Sequence, residues 1–158
     1  YSHIRNGFEG KQFRIIKLRT TIINAEKYGE QWAEKSDSRI TKTGHYLRKL
    51  RIDELPQLLL VLSGEMSLIG PRPERRFFNN CLEKEIPFYN LRHQINPGIS
   101  GWAQVNYPYG ASIEDSKNKL SYDLFYVKNM SIFLDLLIFI KTIKTILNLK
   151  NSLPNKSN

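Results

Sequence analysis

The chain has 158 residues, of which 41% are apolar, and this length allows one hydrophobic core and does not require two. Lys and Arg outnumber Asp and Glu by 24 to 15, which gives a formal net charge of +9 and favours an anionic partner such as a nucleotide, a nucleic acid or a lipid headgroup. The single cysteine, Cys81, excludes an intramolecular disulfide and a multi-cysteine zinc site. No uncharged apolar run reaches the roughly 18 to 20 residues that span a bilayer.

The N-terminal segment predicts a β-hairpin. Residues 1–4 and 11–20 carry aromatic and β-branched side chains, and they flank a turn-like sequence at residues 6–10, which is typical of two paired strands. Residues 24–35 are polar and compatible with a helix. We expect a surface helix and a loop there.

Two helices are predicted next. Thr43 fits the N-cap of a short helix that runs through Leu50, and Asp53 fits the N-cap of a second helix that runs through Leu62, because side-chain oxygens of Thr and Asp accept hydrogen bonds from free amides at helix starts. Gly64 follows the apolar run and is expected to end the second helix.

The central part predicts a stiff connection, a helix and a strand. Two prolines in residues 70–73 restrict the backbone around Arg72, so this arginine is presented from a rigid segment. Residues 74–85 predict a helix, and residues 99–106 predict a short strand after a turn.

Two helices are expected to complete the fold. Ser112 and Asp115 resemble a capping box before a helix at residues 113–128. Residues 130–149 predict a longer apolar helix that carries Lys141 and Lys144. It is either an interfacial helix with its apolar face in lipid, or a core helix with snorkelling lysines.

The predicted fold is therefore α+β: a mainly helical single domain with a small β-hairpin, short strands and a C-terminal amphipathic helix. We place this domain at residues 1–150 and a polar tail at residues 151–158.

The candidate chemistry centres on Asp53 and Glu54. A helix start stabilises negative charge and suits phosphate, and a carboxylate beside Arg48 and Arg51 can act as a nucleophile on phosphorus if a divalent cation screens the repulsion. Capping and a solvated charged face explain the same four residues without any chemistry. Arg72, a further cation on a constrained backbone, is harder to explain by solubility alone.

Three blocks resemble the bacterial sugar transferase family, the monotopic phosphoglycosyl transferases. They are residues 53–58 (DELPQL), residues 64–75 (GEMSLIGPRPER) and residues 97–106 (PGISGWAQVN). The resemblance extends over nearly the whole chain, and the blocks stand in the order and at the spacing of the family.

The resemblance implies a two-step reaction. Asp53 would attack the β-phosphate of a UDP-sugar, release UMP and carry the phosphosugar, and polyprenyl (undecaprenyl) phosphate would then attack this aspartyl intermediate. Glu54 would organise Mg²⁺ with Asp53 or manage protons. Arg48, Arg51 and Arg72 would hold the diphosphate or the lipid phosphate, a task that suits planar guanidinium groups.

The third block matches a family segment near the active site. Gln104 or Asn106 would hydrogen-bond the nucleotide or sugar on this interpretation, whereas the structural alternative is a buried strand with Trp102 in the core. Lys17 and Asp123 also match family positions. We expect them to form an internal ion pair or hydrogen bond rather than to act in catalysis.

The resemblance also implies a location. The enzyme would act at the membrane surface, on the cytoplasmic face of the bacterial inner membrane, and initiate exopolysaccharide or glycan biosynthesis. Family members carry an N-terminal hydrophobic segment that enters the membrane and returns on the same side, and we expect this chain to lack it. The matching motifs handle phosphate and nucleotide, so they do not identify the sugar.

Two other classes of function remain open from the residues alone. The basic charge and the short helices predicted within residues 43–62 also occur in nucleic-acid-binding modules, but residues 55–62 are almost wholly apolar, unlike a recognition helix. We therefore expect no nucleic-acid partner. The third possibility is an inactive fragment that still binds UDP-sugar.

Overall fold

The computed structural model describes residues 1–25, 37–108, 110 and 112–147. Helices dominate these residues, and the strands are short, so the predicted mainly helical α+β class is confirmed. The strands are β1 (Ser2–Asn6), β2 (Gln12–Ile16), β3 (Ser67–Ile69) and β4 (Gly98–Ser100). The helices are α1 (Lys42–Lys49), α2 (Leu58–Leu62), α3 (Arg76–Glu85), α4 (Trp102–Asn106), α5 (Ile113–Asn129) and α6 (Ile132–Leu147). Three short 3-10 helices lie at Phe8–Gly10, Ile52–Gln57 and Tyr89–Gln94.

The predicted β-hairpin is confirmed. Strands β1 and β2 pair antiparallel, with Ser2 opposite Ile16 and Asn6 opposite Gln12. Within β2 the side chains alternate, since Phe13 and Ile15 are buried and their neighbours are exposed. The strand ends at Ile16 rather than at the predicted residue 20, because the chain then leaves its partner and runs towards the 3-10 helix Ile52–Gln57.

The predicted strand at residues 99–106 is only partly correct. Strand β4 pairs parallel to β3 and ends at Ser100, and α4 begins two residues later. At Gly98 a β-carbon would lie 2.1 Å from the Gly70 amide nitrogen, so this close backbone approach requires glycine. Beyond Gly101 the backbone amides form hydrogen bonds within α4, and Ala103 of this helix is buried. An apolar run this short does not distinguish strand from helix in the sequence.

Two helix starts differ from the prediction. The N-cap of α1 is Thr41, whose hydroxyl accepts a hydrogen bond from the Gly44 amide at 2.9 Å, and Thr43 lies exposed inside the helix. Asp53 is not an N-cap. It lies inside the 3-10 helix Ile52–Gln57, which follows Arg51 in the left-handed region at φ 58°, and the α-helical hydrogen-bonding pattern begins only at Leu58.

The remaining boundaries agree closely with the prediction. The capping box of Ser112 and Asp115 is present at the start of α5, and Gly64, at φ 81°, follows the end of α2. Helix α3 begins at Arg76 and α6 at Ile132, each two residues later than expected. The helix predicted at residues 24–35 falls outside the described residues except for a turn at its start, and the tail at residues 151–158 lies outside them entirely.

Two apolar clusters hold the fold together. The first joins β2 to α2 and the loop after it, and so fixes the 3-10 helix that immediately precedes α2. The second joins α3 and the 3-10 helix Tyr89–Gln94 to α5. Their buried members are Phe13, Ile15, Leu60 and Met66 in the first cluster, and Leu82, Ile86, Tyr89 and Leu120 in the second. Within the described residues, no helix has the length and apolar character needed to cross a membrane.

Candidate active site

The 3-10 helix Ile52–Gln57 places Asp53 and Glu54 side by side, each with 7% of its surface exposed. The chain that leaves β2 fixes this pair from one side, since the Leu18 amide donates a hydrogen bond to the Asp53 carbonyl at 3.0 Å. Arg51, at φ 58°, turns the backbone immediately before the pair. The two carboxylates are therefore held by tertiary contacts of the backbone and not by a capping role.

Glu54 is surrounded by cations. Lys17 Nζ lies 2.6 Å from its Oε1, the Arg72 guanidinium contacts both carboxylate oxygens, and Arg51 Nη1 lies 3.6 Å from Oε2. Burial by itself would raise the pKa of Glu54, but the charges of Arg72 and Lys17 outweigh it and hold the pKa well below its usual range. Glu54 is thus ionised at neutral pH and orients the cations around it.

Asp53 differs from its neighbour. Among the residues that the structure describes, none forms a hydrogen bond or ion pair with its carboxylate. Burial and the negative charge of Glu54 raise the pKa of Asp53, while Lys17, Arg48 and Arg51 act in the opposite direction. A carboxylate without a partner, in a cationic setting, has oxygens available for a metal ion or an electrophilic phosphorus.

Lys17 belongs to this cluster, although the sequence analysis predicts only an internal ion pair or hydrogen bond for it. The ion pair with Glu54 is confirmed, and its location is the candidate active site itself. Burial, with the charge of Arg72, lowers the pKa of Lys17 to about 8. A signal was present in the sequence, because Phe13, Ile15 and Lys17 follow the two-residue period of a strand and so share its buried side.

Arg48 lies in the last turn of α1 and donates from Nε to the Thr20 hydroxyl at 2.8 Å. Helix α1 reaches this position because Gly44 packs directly on the chain, where a β-carbon would lie 2.0 Å from the Thr20 carbonyl oxygen. Arg48 acts on Asp53 through its charge rather than through direct contact. The structure therefore brings Arg48, Arg51 and Arg72 together around the carboxylate pair, and their contacts with a diphosphate or lipid phosphate stay a prediction.

Gln104 and Asn106 are not hydrogen-bonded to the carboxylate pair. Gln104 Nε2 donates to the Ile99 carbonyl at 3.0 Å, Asn106 Nδ2 donates to the Trp102 carbonyl at 2.8 Å, and Lys141 donates to Asn106 Oδ1 at 2.6 Å. Gln104 Oε1 is buried and has no hydrogen-bond partner among the described residues. Their contacts with a nucleotide or sugar stay a prediction.

Trp102 is half-buried rather than a core residue. It begins α4 and stacks on Phe125 with the ring centroids 5.8 Å apart. Lys141 Nζ lies over the Trp102 ring, 4.7 Å from the ring centroid. The expectation of a buried strand with Trp102 in the core is thus wrong for this segment.

A separate open pocket of about 430 Å³ lies between the turn of the hairpin and the 3-10 helix Tyr89–Gln94. Its lining includes Glu9, Glu83 and His93 but none of the predicted site residues. The charges converge at Asp53 and Glu54 instead. We therefore take the carboxylate pair, and not this pocket, as the candidate active site.

Comparison with known proteins agrees with this location. The model of the family described as bacterial sugar transferase matches residues 1–149. A UDP-N-acetylgalactosamine-undecaprenyl-phosphate N-acetylgalactosaminephosphotransferase of Aeromonas hydrophila is 52% identical over 143 residues, which cover 90% of this chain and 34% of that protein. A UDP-glucose:undecaprenyl-phosphate glucose-1-phosphate transferase of Xanthomonas campestris pv. campestris is 40% identical over 152 residues, covering 94% and 31%.

A third relative is matched over a larger share of its own length. The uncharacterized sugar transferase EpsL of Bacillus subtilis (strain 168) is 40% identical over 151 residues, which cover 93% of this chain and 69% of that protein. The chain spans about a third of the length of the other two relatives. The match over residues 1–149 includes the carboxylate pair and all three arginines around it, and the chain belongs to the bacterial sugar transferase family.

Proposed function

We propose that this chain transfers a sugar 1-phosphate from a UDP-sugar to undecaprenyl phosphate, with Asp53 as the nucleophile. The observation that carries the proposal is the contrast between the two buried carboxylates. Glu54 forms ion pairs with Lys17 and Arg72, whereas Asp53 has no partner among the described residues. The names of the relatives support the substrate classes, since those from Aeromonas hydrophila and Xanthomonas campestris pv. campestris are named for a UDP-sugar donor and an undecaprenyl-phosphate acceptor.

The chemistry divides into two displacements at one phosphorus atom. A carboxylate oxygen of Asp53 attacks the β-phosphorus of the UDP-sugar, the bond from that phosphorus to the bridging oxygen breaks, and UMP leaves with the electron pair. A phosphate oxygen of undecaprenyl phosphate then attacks the same phosphorus and displaces the Asp53 carboxylate. The products are UMP and an undecaprenyl diphosphate sugar, and Asp53 is regenerated.

The residues present fit Mg²⁺ if the substrate supplies part of the coordination. No group of three or more ligating side chains occurs within the described residues, and Mg²⁺ commonly takes one or two carboxylates together with phosphate oxygens and water. Asp53 is available for this role, and Glu54 lies beside it. A bound Mg²⁺ would neutralise charge on the diphosphate.

The arginines supply the remaining positive charge. Arg51 and Arg48 act on Asp53 through their charge, and Arg72 contacts Glu54, so all three lie where an approaching diphosphate or lipid phosphate would be attracted. Guanidinium groups commonly bind phosphate through two parallel hydrogen bonds, in a bidentate geometry. Gln104 and Asn106 remain predicted contacts of the nucleotide or sugar.

We also propose that the chain works on a membrane surface, as an acceptor with a polyprenyl tail requires. Helix α6 presents its apolar residues outwards: Phe133 is 82% exposed and Leu147 72%. Asp135 and Lys141 face the protein, since Asp135 accepts a hydrogen bond from Tyr126 and Lys141 donates one to Asn106, whereas Lys144 is exposed. This is the reverse of an ordinary surface helix, and it suits a lipid interface. The cytoplasmic face and a role in starting glycan synthesis are part of the same proposal.

The test is release of UMP from UDP-sugars in the presence of Mg²⁺, with and without undecaprenyl phosphate. UDP-N-acetylgalactosamine is the first donor to try and UDP-glucose the second, following the names of these two relatives. The measurement compares the chain with its Asp53→Asn variant, in which the amide keeps the volume of the carboxylate but is not a nucleophile. We expect release by the wild type and a loss of at least about a thousandfold in the variant.

Trapping distinguishes the mechanism from direct transfer. With radiolabelled donor and no acceptor, the wild type should retain a phosphosugar on Asp53, and mass spectrometry should locate it. Full activity in Asp53→Asn would contradict the proposed nucleophile. UDP-sugar binding without UMP release by any protein that contains this chain would leave a binding function only.

A further inference from the structure

Three successive carbonyls of the segment that carries Arg72 are each held by a different part of the fold. Pro71 and Pro73 have no amide N–H, so the carbonyl oxygens are the main backbone groups by which this segment can be fixed. The donors are the Gly98 amide to Pro71 at 2.9 Å, Arg92 Nη2 to Arg72 at 2.7 Å, and Arg5 Nη1 to Pro73 at 3.1 Å.

Of the two side-chain donors, Arg92 is the more deeply buried. It is 7% exposed, lies 2.8 Å from Asp123 of α5, and donates from Nη1 to the Tyr89 hydroxyl at 2.5 Å. Burial raises the pKa of Asp123 to about 6 despite the attraction of Arg92. A buried ion pair of this kind is weak evidence for stability, because the cost of desolvating both charges opposes their attraction. Its placement on the Arg72 carbonyl indicates a role in orientation.

Arg92 is not among the cations that contact the carboxylate pair. Within the described residues those cations are Lys17, Arg51 and Arg72, and of the three only Arg72 accepts a hydrogen bond from Arg92. The direct structural connection from Arg92 to Glu54 therefore runs through the backbone of Arg72. Because the prolines on either side restrict the backbone, a shift of the Arg72 carbonyl also moves the Arg72 side chain.

We propose that Arg92, anchored by Asp123, is a positioning residue that fixes the backbone of Arg72 and thereby holds the Arg72 guanidinium on Glu54. The consequence for catalysis rests on the proposed function, whereas the consequence for Glu54 does not. Arg92→Lys keeps the positive charge but loses the fork that reaches Asp123, Tyr89 and the Arg72 carbonyl together.

The first test follows the Glu54 carboxyl carbon by NMR during a pH titration and needs no activity. The ionisable groups around Glu54 are Lys17, Arg51, Arg72 and the neighbouring Asp53. Arg72 makes the largest contribution that lowers the pKa of Glu54. We expect Arg92→Lys to move the titration midpoint upwards, in the direction given by Arg72→Ala as the positive control.

Arg76→Lys is the matched control, because Arg76 is an exposed arginine of α3 whose guanidinium contacts Gln12 and not the segment of Arg72. It should leave the Glu54 midpoint unchanged. If Arg92→Lys does not fold, Asp123→Asn serves instead, since it leaves Arg92 in place but removes its charged anchor. A Glu54 midpoint that moves in Arg72→Ala but stays at the wild-type value in the folded Arg92 or Asp123 variant would overturn the proposal.

The second test is a double-mutant cycle on kcat for UMP release at saturating UDP-N-acetylgalactosamine. We expect Arg92→Lys to lower kcat by about tenfold in the wild-type background and by less than about twofold in the Arg72→Ala background. Equal losses in the two backgrounds would show that Arg92 acts through the fold in general and would overturn the positioning role. If the wild type releases no UMP, the proposed function fails, and the NMR titration still decides the role of Arg92.

Discussion

Asp53 and Glu54 are neighbours in the chain and have the same 7% exposure, yet their pKa values are displaced in opposite directions. The cause is the number of cations within contact distance: Glu54 has Lys17, Arg51 and Arg72, whereas the cations that act on Asp53 do so without forming an ion pair. Carboxylates whose environments separate their pKa values commonly divide the tasks of a reaction. This division supports Asp53 as the nucleophile and Glu54 as the organiser of the cations.

The role of Glu54 predicts how stability depends on pH. Because the folded-state pKa lies below the ordinary value of 4.5, ionised Glu54 contributes stability that is fully present above pH 4.5 and is lost as the pH falls through the folded-state pKa. Glu54→Gln leaves buried cations unpaired and should lower the free energy of unfolding at pH 7 by about 3 to 5 kcal/mol. Urea unfolding from pH 7 to pH 3 measures the difference.

That difference should shrink as the pH falls below 4.5, because protonation of Glu54 in the wild type removes the charge that the variant already lacks. Glu65→Gln is a matched control, since Glu65 lies exposed after α2 and has no ion pair among the residues described. A wild-type to Glu54→Gln difference that stays constant down to pH 3 would show that the lost stability does not come from the ionised carboxylate.

At the scale of single elements, α1 positions Arg48 through both of its ends. The Thr41 hydroxyl caps the first turn, and Arg48 in the last turn donates to the hydroxyl of Thr20. Both ends of the helix contact the same residue, because the Thr41 amide also donates a hydrogen bond to the Thr20 carbonyl at 3.0 Å. The helix therefore needs its correct start in order to present its last turn to Asp53.

The cap predicts a contrast between two threonines of the same helix. Thr41→Ala removes the acceptor of the Gly44 amide and should destabilise the protein by about 1 kcal/mol. Thr43→Ala replaces an exposed residue inside the helix with a better helix former and should be neutral or slightly stabilising. Thermal unfolding of both variants measures this. A larger loss for Thr43→Ala would place the cap at Thr43, as the sequence suggested.

The whole molecule has an uneven surface. The outward side of α6 is apolar apart from Lys144, and four leucines of α2 and of the 3-10 helix before it are also exposed, from 43% at Leu58 to 85% at Leu62. Both α2 and α6 contact β3. Exposed apolar area on this scale is typical of a contact surface for lipid or protein, and the net charge of +9 adds attraction to an anionic bilayer.

This surface predicts binding to lipid vesicles. Phe133→Asp should reduce the fraction that co-sediments with phosphatidylglycerol vesicles by about tenfold or more, since removing one large apolar side chain from lipid costs about 1.5 to 3 kcal/mol. Phe77→Asp is the control, because Phe77 is 57% exposed on α3, which packs on β1 and α5 rather than on β3. Equal losses in the two variants would assign the effect to added negative charge and exclude α6 as the lipid contact.

The sequence predicted much of the fold through signals that act locally. The alternation in β2, the capping box of Ser112 and Asp115 and the glycine after α2 each depend on neighbouring residues, so they could be read from the chain. The starts of α1 and of the Asp53 segment could not, because contacts with Thr20 and Leu18 from another part of the chain select them. The turn to helix at Trp102 likewise depends on packing against Gly70.

For the site, the sequence determined which charged residues are present, and the family resemblance singled out Asp53, Glu54 and the three arginines. Only the tertiary structure decided how they are used. In the folded chain Lys17 and Arg72 form ion pairs with Glu54, and Asp53 has no partner among the described residues. Arg92 donates a hydrogen bond to the carbonyl of Arg72. The reason is physical: a pKa and an ion pair depend on distance and burial between residues far apart in the chain, and a linear pattern contains neither.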